Sequence, residues 1–441
     1  MEKKRVFYGW PLSVVLGILY FCSSGSVLSS AQLINPMMLN DASMMMNATM
    51  LGTGFSAFVL VQGLGAPVAG WCGSKLGAKA TMVIGGAIIL VGALAMALFV
   101  SDAIGYIVCF GILLSLGTLM AGQISVQSTV GTWFVKNRGK AMTVTMTIGR
   151  LAGFVTPVIV GAVLASGSYQ NGWFLLSGMG ALIIVLALVF VKNKPSDIGQ
   201  LPDGGEGAAN DTPDRKAEAK PAKVYKNTEE VSYSRAIRSP YFWLIALAGA
   251  GGFFGYSLTS SQGVIHFTSL GFDQSVIVGA VALLGLAMMA GNILIGLLSD
   301  RIEPIRLISG ALVLIIVAIF VAAFVPSIAG MYFYYLAIGF GFGSIATNLP
   351  TTVANYFGAF EFPKKLGTTM FVTGTITSFV GAMGGAIFDA TGSCVMAYVI
   401  IGVIVCLCAL CSFLVKIPPQ KAEAPRSGGY PARTRPRIAI S

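Results

Sequence analysis

Charge is what this 441-residue sequence has least of: Asp, Glu, Lys and Arg make up 10% of it, against about 25% in a soluble globular chain. That shortage excludes a soluble enzyme or a nucleic-acid binder, even though the formal net charge is +11. Histidine occurs once, at His266, and no Asp or Glu falls in the core of any long apolar run. A Walker-type loop, a Ser-His-Asp order and paired carboxylates are missing too, so neither catalysis nor ATP-driven pumping finds its groups, and no cofactor is expected. The seven cysteines, Cys22, Cys72, Cys109, Cys394, Cys406, Cys408 and Cys411, all sit in or beside apolar stretches, which argues against a disulfide framework. Cys406-x-Cys408-x-x-Cys411 has no His or carboxylate neighbour to complete a metal site.

What remains is apolar. Hydrophobic residues make up 55%, mean hydropathy is +0.81, and Gly occurs 55 times, as suits helices that pack closely in lipid. A bilayer core of about 30 Å takes about 20 residues of helix. The apolar runs predict twelve spans, at 9–32, 48–70, 80–100, 103–130, 140–165, 172–191, 241–265, 275–298, 305–325, 328–352, 367–389 and 393–416. The run behind Met1-Glu2-Lys3-Lys4-Arg5 is long and without a convincing cleavage site, so it reads as a retained first span rather than a signal peptide.

Basic residues collect on the cytoplasmic side of membrane proteins. With twelve spans and the N-terminus inside, 27 of the 28 Lys and Arg fall in cytoplasmic segments, while the opposite loops carry Asp41, Asp102, Asp273 and Asp389. The expected setting is a plasma membrane, a bacterial inner membrane first, with both termini cytoplasmic. The basic excess then reports topology and contact with membrane lipid rather than nucleic acid.

Residues 192–239 have the Lys, Glu, Ala and Pro content of a linker and divide a six-span bundle, 1–191, from a second, 240–417; the Pro- and Arg-rich 418–441 reads as a disordered tail. The halves echo each other. An offset of 228 pairs Gly139, Met142, Val144, Thr145, Thr147 and Gly153 with Gly367, Met370, Val372, Thr373, Thr375 and Gly381; an offset of 233 pairs Tyr8-x-Trp10 and Phe21 with Tyr241-x-Trp243 and Phe254. The fifth and eleventh spans, and the first and seventh, thus read as equivalents. Gly153-x-x-x-Pro157-x-x-x-Gly161 reads as a close-packing and bending face.

Gly296-Leu297-Leu298-Ser299-Asp300-Arg301 after the eighth span, and Gly70-Trp71-Cys72-Gly73-Ser74-Lys75-Leu76-Gly77-Ala78-Lys79 after the second, resemble the G-x-x-x-D-R-x-G-R-K signature of the major facilitator superfamily. The resemblance implies an all-α membrane fold of twelve helices in two pseudo-symmetric six-helix bundles, with Asp300, Arg301, Gly70 and Lys75 at a cytoplasmic gate. Ser74 stands where the signature has its Asp. Ser24-Gly25 with Asn35-Pro36, Trp133-Phe134-x-x-x-Arg138-Gly139, and Arg238-Ser239-Pro240-Tyr241-Phe242-Trp243 are similar to the oxalate/formate antiporter and monocarboxylate transporter branch. That branch carries an anion-binding Arg four residues before the Gly of the Asp-Arg motif, where this sequence has Asn292, and its oxalate exchanger uses a Lys near Thr373. The branch's substrate is therefore not inherited with its motifs.

The one basic residue outside the loops is Arg150, roughly 16 Å into the fifth span at 1.5 Å per residue. An Arg at the bilayer centre costs at least about 2.5–3.5 kcal/mol. Two readings follow: a structural Arg bonded to carbonyls or a neighbouring Gln, or a planar fork facing a water-filled cavity and gripping an organic anion. Gln62, Gln123 and Gln127, Asn292, Asn348, and the pair Gln262 and His266 could complete such a site, or serve equally as interhelical glue. His266 is the only usual candidate to carry a proton, so exchange or facilitated flux is expected over proton symport. The sequence thus points to a secondary or exchange transporter of a small mono- or dicarboxylate-like anion, working as a monomer by alternating access. A drug exporter of the same superfamily and a non-transporting receptor are the alternatives.

Overall fold

The computed structural model describes residues 7–39, 41, 44–134, 137–165, 167–205, 224, 225, 227, 231–299, 301–358 and 360–416. The apolar runs fold as long helices, and no strand forms among the described residues. Eleven helices are long and apolar enough to cross a membrane, and one of them, Ala48–Leu98, has 51 residues. At 1.5 Å per residue it would extend about 76 Å, more than two bilayer cores. It breaks at Gly77, whose φ of +82° and ψ of 160° are open only to glycine, giving two limbs and twelve spans. Asn193, just after the sixth span, brackets that turn: its side chain lies against Gly77 and its Oδ1 accepts from the Lys79 amide at 2.9 Å.

We label the spans α1 (Gly9–Met38), α2 and α3 (48–76 and 78–98), α4 (Ala103–Trp133), α5 (Gly139–Leu164), α6 (Tyr169–Phe190), α7 (Pro240–Ser269), α8 (Gln274–Leu298), α9 (Pro304–Phe324), α10 (Ile328–Phe357), α11 (Phe362–Thr391) and α12 (Val395–Leu414). Start signals match the sequence: the Asn47, Asp102 and Ser327 side chains accept from Met50, Gly105 and Gly330 amides, and Pro240 and Pro304 open α7 and α9.

Several spans are interrupted inside the membrane. α1 carries a π-turn at Phe21–Gly25, α5 breaks at Leu151, and α11 breaks between Thr377 and Val380. Leu151 and Phe379 stand 228 residues apart, the same offset that pairs the two sequences. The packing expected of the Gly153-Pro157-Gly161 face is present, with Gly153 against Gly285 and Gly161 against Val278. Pro157 lies inside the second limb of α5.

Two glycine crossings join the first six spans to the last six, alongside a contact of α1 with α7 in which Gln32 Nε2 donates to Ser260 Oγ at 3.3 Å. On α2 and α11, a Cβ on Gly52 would run into the Gly381 carbonyl, and one on Gly385 into the Ala48 carbonyl; on α5 and α8, Gly153 and Gly285 meet backbone to backbone. Both crossings are tight toward the end that carries Asp41, Asp102, Asp273 and Asp389. Toward the basic end they part: a Cβ on Gly63 would have its nearest neighbour, Gly374, 3.9 Å away, and Gly70, Gly139 and Gly367 face nothing within 4 Å. The bundle is closed at its acidic end and open at its basic end.

Candidate functional site

Between the two halves lies a cavity of about 1250 Å³ that opens at the basic end. Its walls are aromatic: Phe55 and Phe58 from α2, Phe253 and Tyr256 from α7, and Phe342 from α10. Tyr256 and Phe342 stack at 4.2 Å between centroids, 8° from parallel, and Phe253 meets Phe342 edge-on at 5.1 Å. A smaller cleft of about 450 Å³ lies between α5, α8 and α10, lined by Met142, Met146, Arg150, Met289, Asn292 and Thr347 among others.

Arg150 ends the first limb of α5, the twelfth residue of 26 in its span and half-buried. Its place is set by close packing of α1 on α5: the Thr145 hydroxyl donates to the Ser13 carbonyl at 3.1 Å, Gly149 lies under the Tyr20 ring, and Gly25 faces Ala152. The Tyr256 hydroxyl lies within electrostatic range of both Arg150 and Tyr20. Among the described residues, none hydrogen-bonds or ion-pairs with the Arg150 guanidinium. Its five N–H donors are thus not spent on any described residue.

The other sequence candidates divide by location. Gln62, Gln123 and Gln127 line the large cavity, and Asn292 the cleft. The two spaces adjoin, since the Gln127 amide points at the sulfur of Met146, 3.7 Å away in the cleft wall. Gln62 is already committed, its Nε2 donating to the Ser115 carbonyl at 3.1 Å and to Thr118 Oγ1 at 2.8 Å. Asn292 donates to the Met288 carbonyl and accepts from Thr347 at 2.5 Å. Asn348 is buried one residue from the cleft wall, its Oδ1 without a partner. Gln262 and His266 are in neither space. Gln262 is buried and donates to the Gly381 carbonyl, and His266 is buried among Phe267, Tyr334 and Tyr398 with Nε2 on the Ala322 carbonyl at 2.9 Å. Of the gate residues, Gly70, Lys75 and Arg301 are exposed at the open end, and Asp300 lies outside the described residues.

Three features escape a reading of the sequence. The cavity's aromatics carry no local mark that separates them from the rest of the sequence's 27 Phe and 14 Tyr. At the closed end the Asp389 carboxylate of α11 accepts from the Ala48 amide at 3.0 Å, the Thr49 amide at 2.8 Å and the Thr49 hydroxyl at 2.5 Å, so it caps α2 from the opposite half; beside it Ser56 Oγ accepts from the Ala382 amide at 2.9 Å. At the open end Glu361 accepts from Lys364 Nζ at 2.7 Å and from the Tyr233 amide at 2.8 Å. The Lys364 hydrogen bond, then the Tyr233 amide, hold the Glu361 carboxyl below the usual carboxylate range.

Two sets of membrane helices that touch at one end and part at the other, around a shared cavity with side chains from both, define a transporter that works between two openings. Residues 16–386 match the model of the Major Facilitator Superfamily, and the chain belongs to that family. It is a multi-pass membrane transporter and not an enzyme. It is 24% identical over 384 residues to an oxalate:formate antiporter of Oxalobacter formigenes, covering 85% of this chain and 84% of that one. It is 27% identical over 146 residues to the uncharacterized MFS-type transporter YhjX of Escherichia coli strain K12, a match to 32% of this chain and 35% of that one. A bacterial homologue of the human lysosomal transporter Spinster, crystallised inward-facing and unoccupied, superposes with a TM-score of 0.67 at 15% identity, over 92% of this chain and 96% of that one. That likeness is one of fold.

Proposed function

We propose that the protein carries a small organic anion by alternating access of its two bundles, 1–191 and 240–417, with Arg150 as the counter-charge of the anion's carboxylate. The observation that carries this reading is the guanidinium of Arg150, half-buried at mid-span and without a protein partner among the described residues. A structural Arg would be bonded to carbonyls or to a glutamine; the Gln127 amide points at Met146 instead. The anions named for the Oxalobacter relative fit the same class of substrate. Gln123, Gln127 and Asn292 then supply neutral amides around the anion, and the basic open end is cytoplasmic. The amphiphile-exporter reading draws on the aromatic walls, and Arg150 separates the two.

In proteoliposomes carrying a panel of labelled mono- and dicarboxylates, Arg150→Lys keeps the charge but loses the planar fork, and affinity should fall about tenfold or more, the worth of one charge-assisted hydrogen bond. Arg150→Gln should abolish carboxylate transport. Because no protein group is left unpaired, the variant should melt no lower than the parent. A well-folded Arg150→Gln protein that moves carboxylates at the parental rate would remove the proposal.

A further inference from the structure

Two charged side chains line the cavity and the cleft, Arg150 and Lys364. Lys364 is already neutralised by Glu361 at 2.7 Å. Lys365 is fully buried, pointing away to donate to the Phe357 and Phe360 carbonyls at 2.6 and 2.7 Å. Among the described lining residues Arg150 is therefore the one cation without a paired acid, and the remaining polar groups are neutral amides and hydroxyls, several of them spent on protein carbonyls. A dianion held here would keep one carboxylate without a counter-charge in an apolar surrounding, which is strongly unfavourable. A monoanion would be fully compensated.

The rest of the surface describes the rest of the molecule. Tyr256 sits in electrostatic range of Arg150, Phe342 stacks on Tyr256, and Phe253 continues the wall edge-on. Phe55 and Phe58, almost fully buried against Phe110, border the same space from the opposite half, so a flat apolar group attached to the carboxylate would meet aromatic side chains from both halves. We infer that the substrate is a monocarboxylate with an aromatic or similarly flat apolar body, its carboxylate on Arg150 and its ring against Tyr256 and Phe342, rather than oxalate or a comparable small dianion. This rests on the anion reading of Arg150 and adds the monovalence and the ring.

Four probes on the full-length protein in nanodiscs separate the two layers: phenylacetate, phenylacetamide, acetate and oxalate, with binding read by calorimetry and by the ligand-dependent rise in melting temperature. Phenylacetate should bind at least about tenfold more tightly than acetate or oxalate, the worth of one buried aromatic contact. It should also outbind phenylacetamide, which has the ring without the charge. Phe342→Ala should bring the phenylacetate-to-acetate affinity ratio toward one; Phe342→Leu keeps apolar volume without a flat face and should give an intermediate ratio if the alanine variant does not fold. Acetate binding as tightly as phenylacetate would overturn the ring, and oxalate doing so would overturn the monovalence as well, either result leaving Arg150's role intact. Phenylacetamide matching phenylacetate would overturn the anion reading itself, with the aromatic slot left standing.

Discussion

Two cations deep in this protein have opposite standing. Arg150 has no partner among the described residues, whereas Lys365 gives its ammonium to the Phe357 carbonyl that ends α10, where Gly358 turns the chain at a φ of +71°, and to the Phe360 carbonyl just beyond. The last carbonyls of a helix have no intrahelical donor, and Lys365 supplies one from the next helix. Lys365→Met should therefore lower stability by about 1–3 kcal/mol, the cost of leaving a buried acceptor unmet, and should do so without changing substrate affinity. Thermal melting with and without bound ligand checks this; an unchanged melting temperature would show that water serves those carbonyls as well as the lysine does. Arg150 was legible in the sequence because lipid makes a lone charge in an apolar run conspicuous. Lys365 was not, since in sequence it is one more basic residue at an inner loop. His266 was conspicuous for the same reason as Arg150, but its neighbours Tyr334 and Tyr398 come from distant spans, and only their packing places it away from the cavity.

Among elements, the informative ones are α2, α5, α8 and α11, which make the two crossings. The sequence marked α5 and α11 as equivalents, and the matching breaks at Leu151 and Phe379 agree with that pairing. It did not mark where the bends fall, because no proline or glycine stands at Leu151 to announce one. Nor did it reveal that Asp389 grips a helix start some 340 residues away, for an acid beside an outer loop is what charge asymmetry alone would leave there. A carboxylate on helix N-terminal amides contributes about 0.3–1 kcal/mol at an exposed position. In Asp389→Asn the closed end should loosen by about that much, populating conformers open at the acidic end several-fold more. Spin labels placed at positions 45 and 391 would report this as a longer-distance component, and an identical distance distribution in variant and parent would show that the glycine crossing holds the end shut without the carboxylate.

For the whole molecule, the charge map yields the span count, and the break at Gly77 supplies the twelfth span that length alone merges into one helix. The same map predicts the orientation: a cysteine at position 210, in a cysteine-free background, should react with an impermeant reagent only from the cytoplasmic side. Reaction from outside intact cells would reverse the orientation and, with it, which face the open cavity serves. The cavity's aromatic character was beyond the sequence, because lipid-facing and cavity-facing Phe obey the same periodicity and differ only in what stands opposite them.

If Arg150 is the anion's counter-charge as proposed, then with no acid beside it among the described residues it keeps its positive charge uncompensated whenever its site is unloaded, and a bound monoanion cancels it. Reorienting the site across the membrane then differs electrically between the two cases. The unloaded carrier drags its charge through part of the membrane field, worth up to about 2.3 kcal/mol per 100 mV, whereas the loaded carrier turns as a neutral body. An inside-negative potential thus holds the unloaded carrier facing inward and leaves the loaded one indifferent to voltage. On the proposed reading, net one-way flux would be throttled at the return step, and one-for-one exchange of monoanions would not.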